Sequence, residues 1–196
     1  MSLIWPGQCV EISGYDVPLG ARAVHFYYTK PEQQRLLGFL LEGIARYEGV
    51  VLACAGDVSE ALFDGLEMLG VRHFEPQITR IEIASNVRAS IGKIAAAAKN
   101  GTQPDRRVCR RVLCDFGSMI GQETVCEVES VLHSFLAGLE LVSITQYDGR
   151  GFGAPITIEQ FQTHALAIVG SAFFCGNRYC AAPLQFVAKP AMRGRK

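Results

Sequence analysis

The sequence predicts an α/β fold: a three-layer sandwich around a mainly parallel sheet, with antiparallel strands at its C-terminal edge. Two observations carry this expectation. Short apolar runs rich in β-branched residues, such as "RAVHFYY", "GVVLACAG" and "RVLCDFG", alternate with segments of helical periodicity. Strands separated by helices imply crossover connections, and hence parallel pairing with helices on both faces. The second is the closing stretch "LAIVGSAFFCGNRYCAAPLQFV", apolar throughout with Gly176-Asn177 in its middle, which reads as a terminal strand pair.

In chain order, residues 1–20 contain Pro6, Gly7, Gly14, Pro18 and Gly20, and read as a lead-in arm with at most a short strand. A single domain is expected over 21–188, followed by a basic tail at 189–196. After the strand "RAVHFYY", Thr29 and Glu32 resemble a capping box and Pro31 suits a first helical turn. Leu36, Leu37, Leu40, Leu41 and Ile44 then recur at helical spacing. Beyond "GVVLACAG", Asp57 and Glu60 repeat the cap logic before "ALFDGLEMLG", which Gly70 should stop. A shorter strand "TRIEIAS" leads to the helix "NVRASIGKIAAAAKNG" and the polar turn "GTQPDRR". The buried strand "RVLCDFG", the helix "ETVCEVESVLHSFLAGL" and the strand "ELVSITQYD" follow.

The chain of 196 residues is 49% hydrophobic and 19% charged, with 19 basic and 19 acidic side chains. That composition is globular, and zero net charge gives no overall pull toward nucleic acid or an anionic membrane. No apolar run reaches the roughly 18–20 residues of a membrane span, and "MSLIWPGQCVEIS" lacks a secretory signal's pattern. Seven cysteines, several in apolar runs (Cys54, Cys114), fit buried reduced thiols and a cytoplasmic setting better than a disulfide framework.

Strand, loop, helix, strand is the order of elements around a phosphate-binding loop. Such a loop needs glycines to expose backbone N–H groups, a lysine, and a Ser or Thr for magnesium. "YYTKPEQQR" supplies only Lys30, and Pro31 removes one N–H. Asp115 ends its strand where nucleotide-hydrolysing proteins hold a metal-binding aspartate, so Lys30 and Asp115 form at most a vestigial nucleotide site. The alternative for Asp115 is a turn cap. Ser118 directly follows Gly117 and is no nucleophile elbow. Cys109/Cys114 and Cys175/Cys180 are too widely spaced for the usual zinc pairs, and His164 beside Cys175 or Cys180 reads more simply as a satisfied histidine near buried thiols. No metal or cofactor is implied.

In open parallel sheets ligands bind beyond the carboxyl ends of the strands. The first strand delivers Tyr27, Tyr28 and Thr29 there, after His25. The second delivers Asp57, and the late strand Gln146, Tyr147 and Asp148. The simpler alternative for the last trio is a turn at Asp148-Gly149 with Tyr147 covering the core.

The order "H…YY" before an apolar helix, "LEGIARYEGVVLA", "VESVLHSFL", "ITQYDGRGF" and "THALAIVG" resembles the MEDS domain, the sensory domain named for methanogens, methylotrophs and the dichloromethane-responsive repressor. The likeness spans about residues 22–182. Thr145 stands where the family usually has cysteine, and Ala165 where it has proline. The resemblance implies a RecA/KaiC-like core that has lost its phosphate loop. It also implies a non-catalytic sensory domain that binds a small organic ligand and signals through a partner protein (a regulator or kinase) or a homodimer. By position, His25, Tyr28, Glu129, Gln146, Tyr147, Asp148 and His164 match the family's recurrent polar residues and become the expected ligand-binding set. The rival expectations are a degenerate ATPase relative that only docks a partner, and an atypical nucleotide binder.

Overall fold

Five of the six parallel-paired strands are apolar runs buried on both faces, and their side chains alternate between two separate cores. The computed structural model describes residues 9–71, 77–100, 108–153, 164 and 166–175. The expected turns at 101–107 and Gly176-Asn177, Cys180 and the tail at 189–196 lie outside these residues.

The elements are β1 (Cys9–Ile12), β2 (Tyr15–Pro18), β3 (Arg22–Tyr27), α1 (Lys30–Gln34), α2 (Leu37–Ala45), β4 (Gly49–Ala55) and α3 (Gly56–Met68). There follow β5 (Ile78–Ile83), α4 (Val87–Asn100), β6 (Cys109–Asp115), α5 (Val125–Leu136), β7 (Val142–Asp148), β8 (Leu166–Val169) and β9 (Ala172–Cys175). One sheet has the order β5-β4-β6-β7-β3-β8-β9. Every pairing in it is parallel except β8 with β9. β4 is buried at all its residues, as a strand covered on both faces must be.

Val24, Phe26, Val51, Ala53, Val112 and Cys114 pack with Ile91 and Ile94 of α4 and Val125, Val128 and Leu132 of α5. Their alternates Ala23, Val50, Leu52, Leu113, Val142 and Ile144 pack with Leu37 and Leu40 of α2 and Leu62 and Leu66 of α3. The three-layer α/β sandwich with an antiparallel edge pair is therefore the architecture of this protein.

Three local expectations change. The N-terminal arm contains a hairpin, β1–β2, turned at Ser13 (φ 50) and Gly14 (φ 89). Two successive positive φ values give the tight turn whose twist suits paired strands. Val10, Ile12 and Val17 on it are buried in the α2–α3 core. The C-terminal pair turns at Gly170 (φ 55), earlier than Gly176-Asn177. Finally, α3 starts at Gly56 with Ala55 as its cap residue and no side-chain cap, so Asp57 falls inside the first turn. Half of the capping box forms at α1: Thr29 Oγ1 accepts from the Glu32 N–H at 3.4 Å, while Glu32 Oε2 accepts from the N–H of Tyr28, the residue before the cap, at 2.8 Å.

Candidate functional site

At the carboxyl ends of β3 and β7, beside α1 and α3, lies a cleft of about 500 Å³ whose lining includes Tyr28, Lys30, Gln33, Ser118, Asp148 and Arg150. The two strands meet there because Tyr27 and Asp148 are register partners. Asp148 caps a single 3-10 turn (Gly149–Gly151): its Oδ1 accepts from the Arg150 N–H at 3.0 Å and from Arg150 Nε at 2.8 Å. The Arg150 hydrogen bonds hold the Asp148 carboxyl below its usual range. The Asp148-Gly149 turn is thus formed, with its carboxylate at the cleft. Tyr28, 41% exposed, lies against Gly149, where a Cβ would come within 2.6 Å of its ring carbons. Only glycine lets the ring rest on that backbone. Lys30 reaches Asp64 at 3.7 Å, a weak exposed pair.

One side chain beneath the cleft, on the α1 side of the sheet, runs a buried polar row: Asp115 of β6, Gln146 of β7 and His25 of β3, register partners in turn. Asp115 accepts from the Gly117 N–H at 2.9 Å, Tyr27 Oη at 3.2 Å and Gln33 Nε2 at 2.8 Å. The first of these is a turn-capping bond. Gln146 Nε2 donates to the Gln33 carbonyl at 3.1 Å. Gln146 Oε1 and both ring nitrogens of His25 are buried without a hydrogen-bond partner among the described residues. Each such atom costs about 1–3 kcal/mol. Burial pushes the His25 imidazole down to about 4, so it is neutral at pH 7; the nearby Gly170 backbone opposes this in part.

The opposite face holds a second cluster around Glu129 of α5. Its Oε1 accepts from Thr145 Oγ1 and Tyr147 Oη, each at 2.6 Å, and its Oε2 meets His164 Nε2 at 3.0 Å and the Arg22 guanidinium. Burial alone would raise this carboxyl; His164, Arg22 and the Thr145 hydroxyl outweigh it and hold it at about 2. Tyr147 is fully buried, stacked on Phe116 with ring centroids 5.5 Å apart and on Phe26 at 5.8 Å. Burial and the neighbouring carboxylate push its phenol well up.

The expected ligand set therefore divides three ways. Tyr28 and Asp148 share the cleft with Lys30, His25 and Gln146 lie under its floor beside Asp115, and Glu129, Tyr147 and His164 sit across the sheet. Adjacent residues of one strand point to opposite faces, so Gln146 and Tyr147 cannot serve one hollow.

Sequence reasoning missed Arg22, Gln33, Arg111 and Arg150. Arg111 is wholly buried and bonds Glu48 Oε2 at 2.6 Å, Glu42 Oε2 at 3.1 Å and the Phe39 carbonyl at 2.7 Å. An arginine inside the apolar strand "RVLC" was its signal; for Arg22 the signal was a charge in phase with Val24 and Phe26. Gln33 left none, because its partners come from distant strands. Among the described residues no three His, Cys, Asp or Glu side chains are grouped to hold a metal ion. Cys54, Cys109 and Cys114 are free and buried, and burial pushes their thiols up, Cys109 to about 11. Thiols so protonated make poor nucleophiles. No helix among the described residues is long and apolar enough to cross a membrane. No protein-family model and no curated protein matches this chain.

Proposed function

We infer that this chain is a non-catalytic sensory domain of the MEDS type, which takes a small organic ligand in the rim cleft and signals through a partner protein or a second copy. The observation that carries this reading is the cleft itself. It lies at the carboxyl ends of parallel strands, the usual ligand position in such sheets, with the braced Tyr28 ring and a few polar groups around it. The mostly parallel sheet with its antiparallel edge is compatible with a RecA/KaiC-like core. Two features weigh against a nucleotide. Asp115 is fully buried and held by three donors, and Pro31 occupies the place where phosphate-binding N–H groups would be needed.

A thermal-shift screen with small organic compounds tests the reading. A ligand at 100 times its Kd adds about 2.7 kcal/mol, a readily measured rise. Gly149→Ala, which displaces the Tyr28 ring, is expected to weaken that response. A shift with ATP and magnesium that Asp115→Asn abolishes would replace this reading with the nucleotide one. A second reading, a partner-docking module, is favoured by an open groove of about 300 Å³ between α4 and α5, lined by Ile91, Met119, Ile120 and Val128. No response to any compound, together with co-purification of one protein, would favour it.

A further inference from the structure

His25 and Gln146 are neighbours across two parallel strands, both wholly buried on the face covered by α1, and together they carry three polar atoms with no partner among the described residues. Gln146 Nε2 has a structural task in holding the Gln33 carbonyl, but packing does not explain its free Oε1 or His25, since phenylalanine in place of His25 would fill similar space without burying unpaired polar atoms. Stability given up at one spot of an otherwise consistent core points to a function there.

The pair lies one side chain from the cleft. Tyr27 and Gln33 line the cleft and also touch the buried row: both donate to Asp115, Gln146 donates to the Gln33 carbonyl, and the His25 and Tyr27 rings are 6.1 Å apart. Gln33 belongs to a five-residue helix, too short to be stable by itself. Its side chain can yield by giving up one hydrogen bond of 2.8 Å to Asp115.

The chemistry of the pair selects what can enter. A neutral imidazole offers one donor and one acceptor, and Gln146 Oε1 adds an acceptor. The charged groups that act on His25 are engaged elsewhere: Glu32 accepts from the Tyr28 N–H, and Arg35 reaches the Gly170 carbonyl and stacks over Phe173. An anion entering here would shed its water without gaining a counter-charge, and a cation would find the one carboxylate of the row, Asp115, already holding three donors. An uncharged group that both donates and accepts meets all three atoms.

We propose that the cleft ligand is a small uncharged alcohol or amide whose polar end passes Gln33 and hydrogen-bonds His25 and Gln146. This rests on the cleft being the ligand site, as read above, and assigns the chemical class of its occupant.

The test uses the full chain labelled with 15N-histidine, titrated with isopropanol and with N-methylacetamide, and in parallel with sodium phosphate and tetramethylammonium chloride. Saturable shifts of the His25 ring nitrogens and the Tyr28 ring signals are expected with the two uncharged probes, and none at His25 with the ions. In His25→Phe the uncharged probes should bind about tenfold more weakly, the loss of one hydrogen bond, while the melting temperature rises. Tyr28 signals that respond while His25 stays silent would overturn this proposal and leave the cleft reading standing; silence at both positions would end both. A lowered melting temperature in both His25→Phe and Gln146→Leu would show that the pair is needed for packing, and would also overturn it.

Discussion

His25 shows how one residue can make stability depend on pH. Its folded pKa, about 4, lies below the ordinary 6.5, so between those values the unfolded chain binds more protons than the folded one. The neutral form's contribution is complete above about 6.5 and is lost as pH falls toward about 4. Urea unfolding at pH 7 and pH 5 should differ by about 2 kcal/mol from this group, and His25→Phe should remove that part of the difference. Glu129 follows the carboxylate rule. Its folded value of about 2 lies below 4.5, so its contribution is present above 4.5 and disappears as pH drops through about 2. Removing it strands Arg22 and His164 beside an empty place. Glu129→Ala should cost about 3–5 kcal/mol at pH 7 in a denaturant titration, as broken buried pairs do. Glu129 was legible from the sequence only as one of a set of polar positions. Its partner Arg22, far away in the chain, was not.

At the scale of elements, α1 is the informative case. "TKPEQQ" contains its own start signals: the cap at Thr29 and Pro31 in the first turn form as read, and Glu32 reaches back one residue further than a capping box, to the Tyr28 N–H. What the local sequence omits is the anchor. Gln33 bonds Asp115 through its side chain and Gln146 through its carbonyl, and these two contacts fasten a helix of five residues to the sheet. Thr29→Ala should lower stability by about 0.5–2 kcal/mol. It should also speed amide hydrogen exchange across Lys30–Arg35 more than in α5, whose Glu129 is tied to both β3 and β7. Uniform acceleration across the chain would mean that α1 does not open by itself. The turn between β8 and β9 shows the opposite outcome. Sequence reasoning missed Gly170, where the chain reverses and whose N–H is taken by the Phe26 carbonyl of the neighbouring strand at 2.8 Å; Gly176-Asn177 lies outside the described residues.

For the whole molecule, the sheet separates two chemistries. A tyrosine-lined cleft with a buried polar row beneath it faces α1 and α3, while the Glu129 cluster binds α5 to the far side of the same strands. The N-terminal hairpin belongs to the first side. Val10, Ile12 and Val17 complete the α2–α3 core, so residues 9–18 are part of the folded unit. Deleting residues 1–19 should cost on the order of 5 kcal/mol, the burial of three aliphatic side chains, with a matching fall in melting temperature. An unchanged melting temperature would mean that the hairpin only rests on the surface.

The alternation of strands and helices, the buried character of the central strands and the cap of α1 were written in the sequence, because periodicity and capping act between residues a few positions apart. Tertiary structure alone decided the order β5-β4-β6-β7-β3-β8-β9, and with it which polar residues meet. Gln146 and Tyr147 are adjacent in sequence and separated by the sheet. His25 and Gln146 are distant in sequence and stand side by side. Side-chain alternation is a local property, but the neighbour of each strand is set by the packing of helices from the whole chain, which no short window contains.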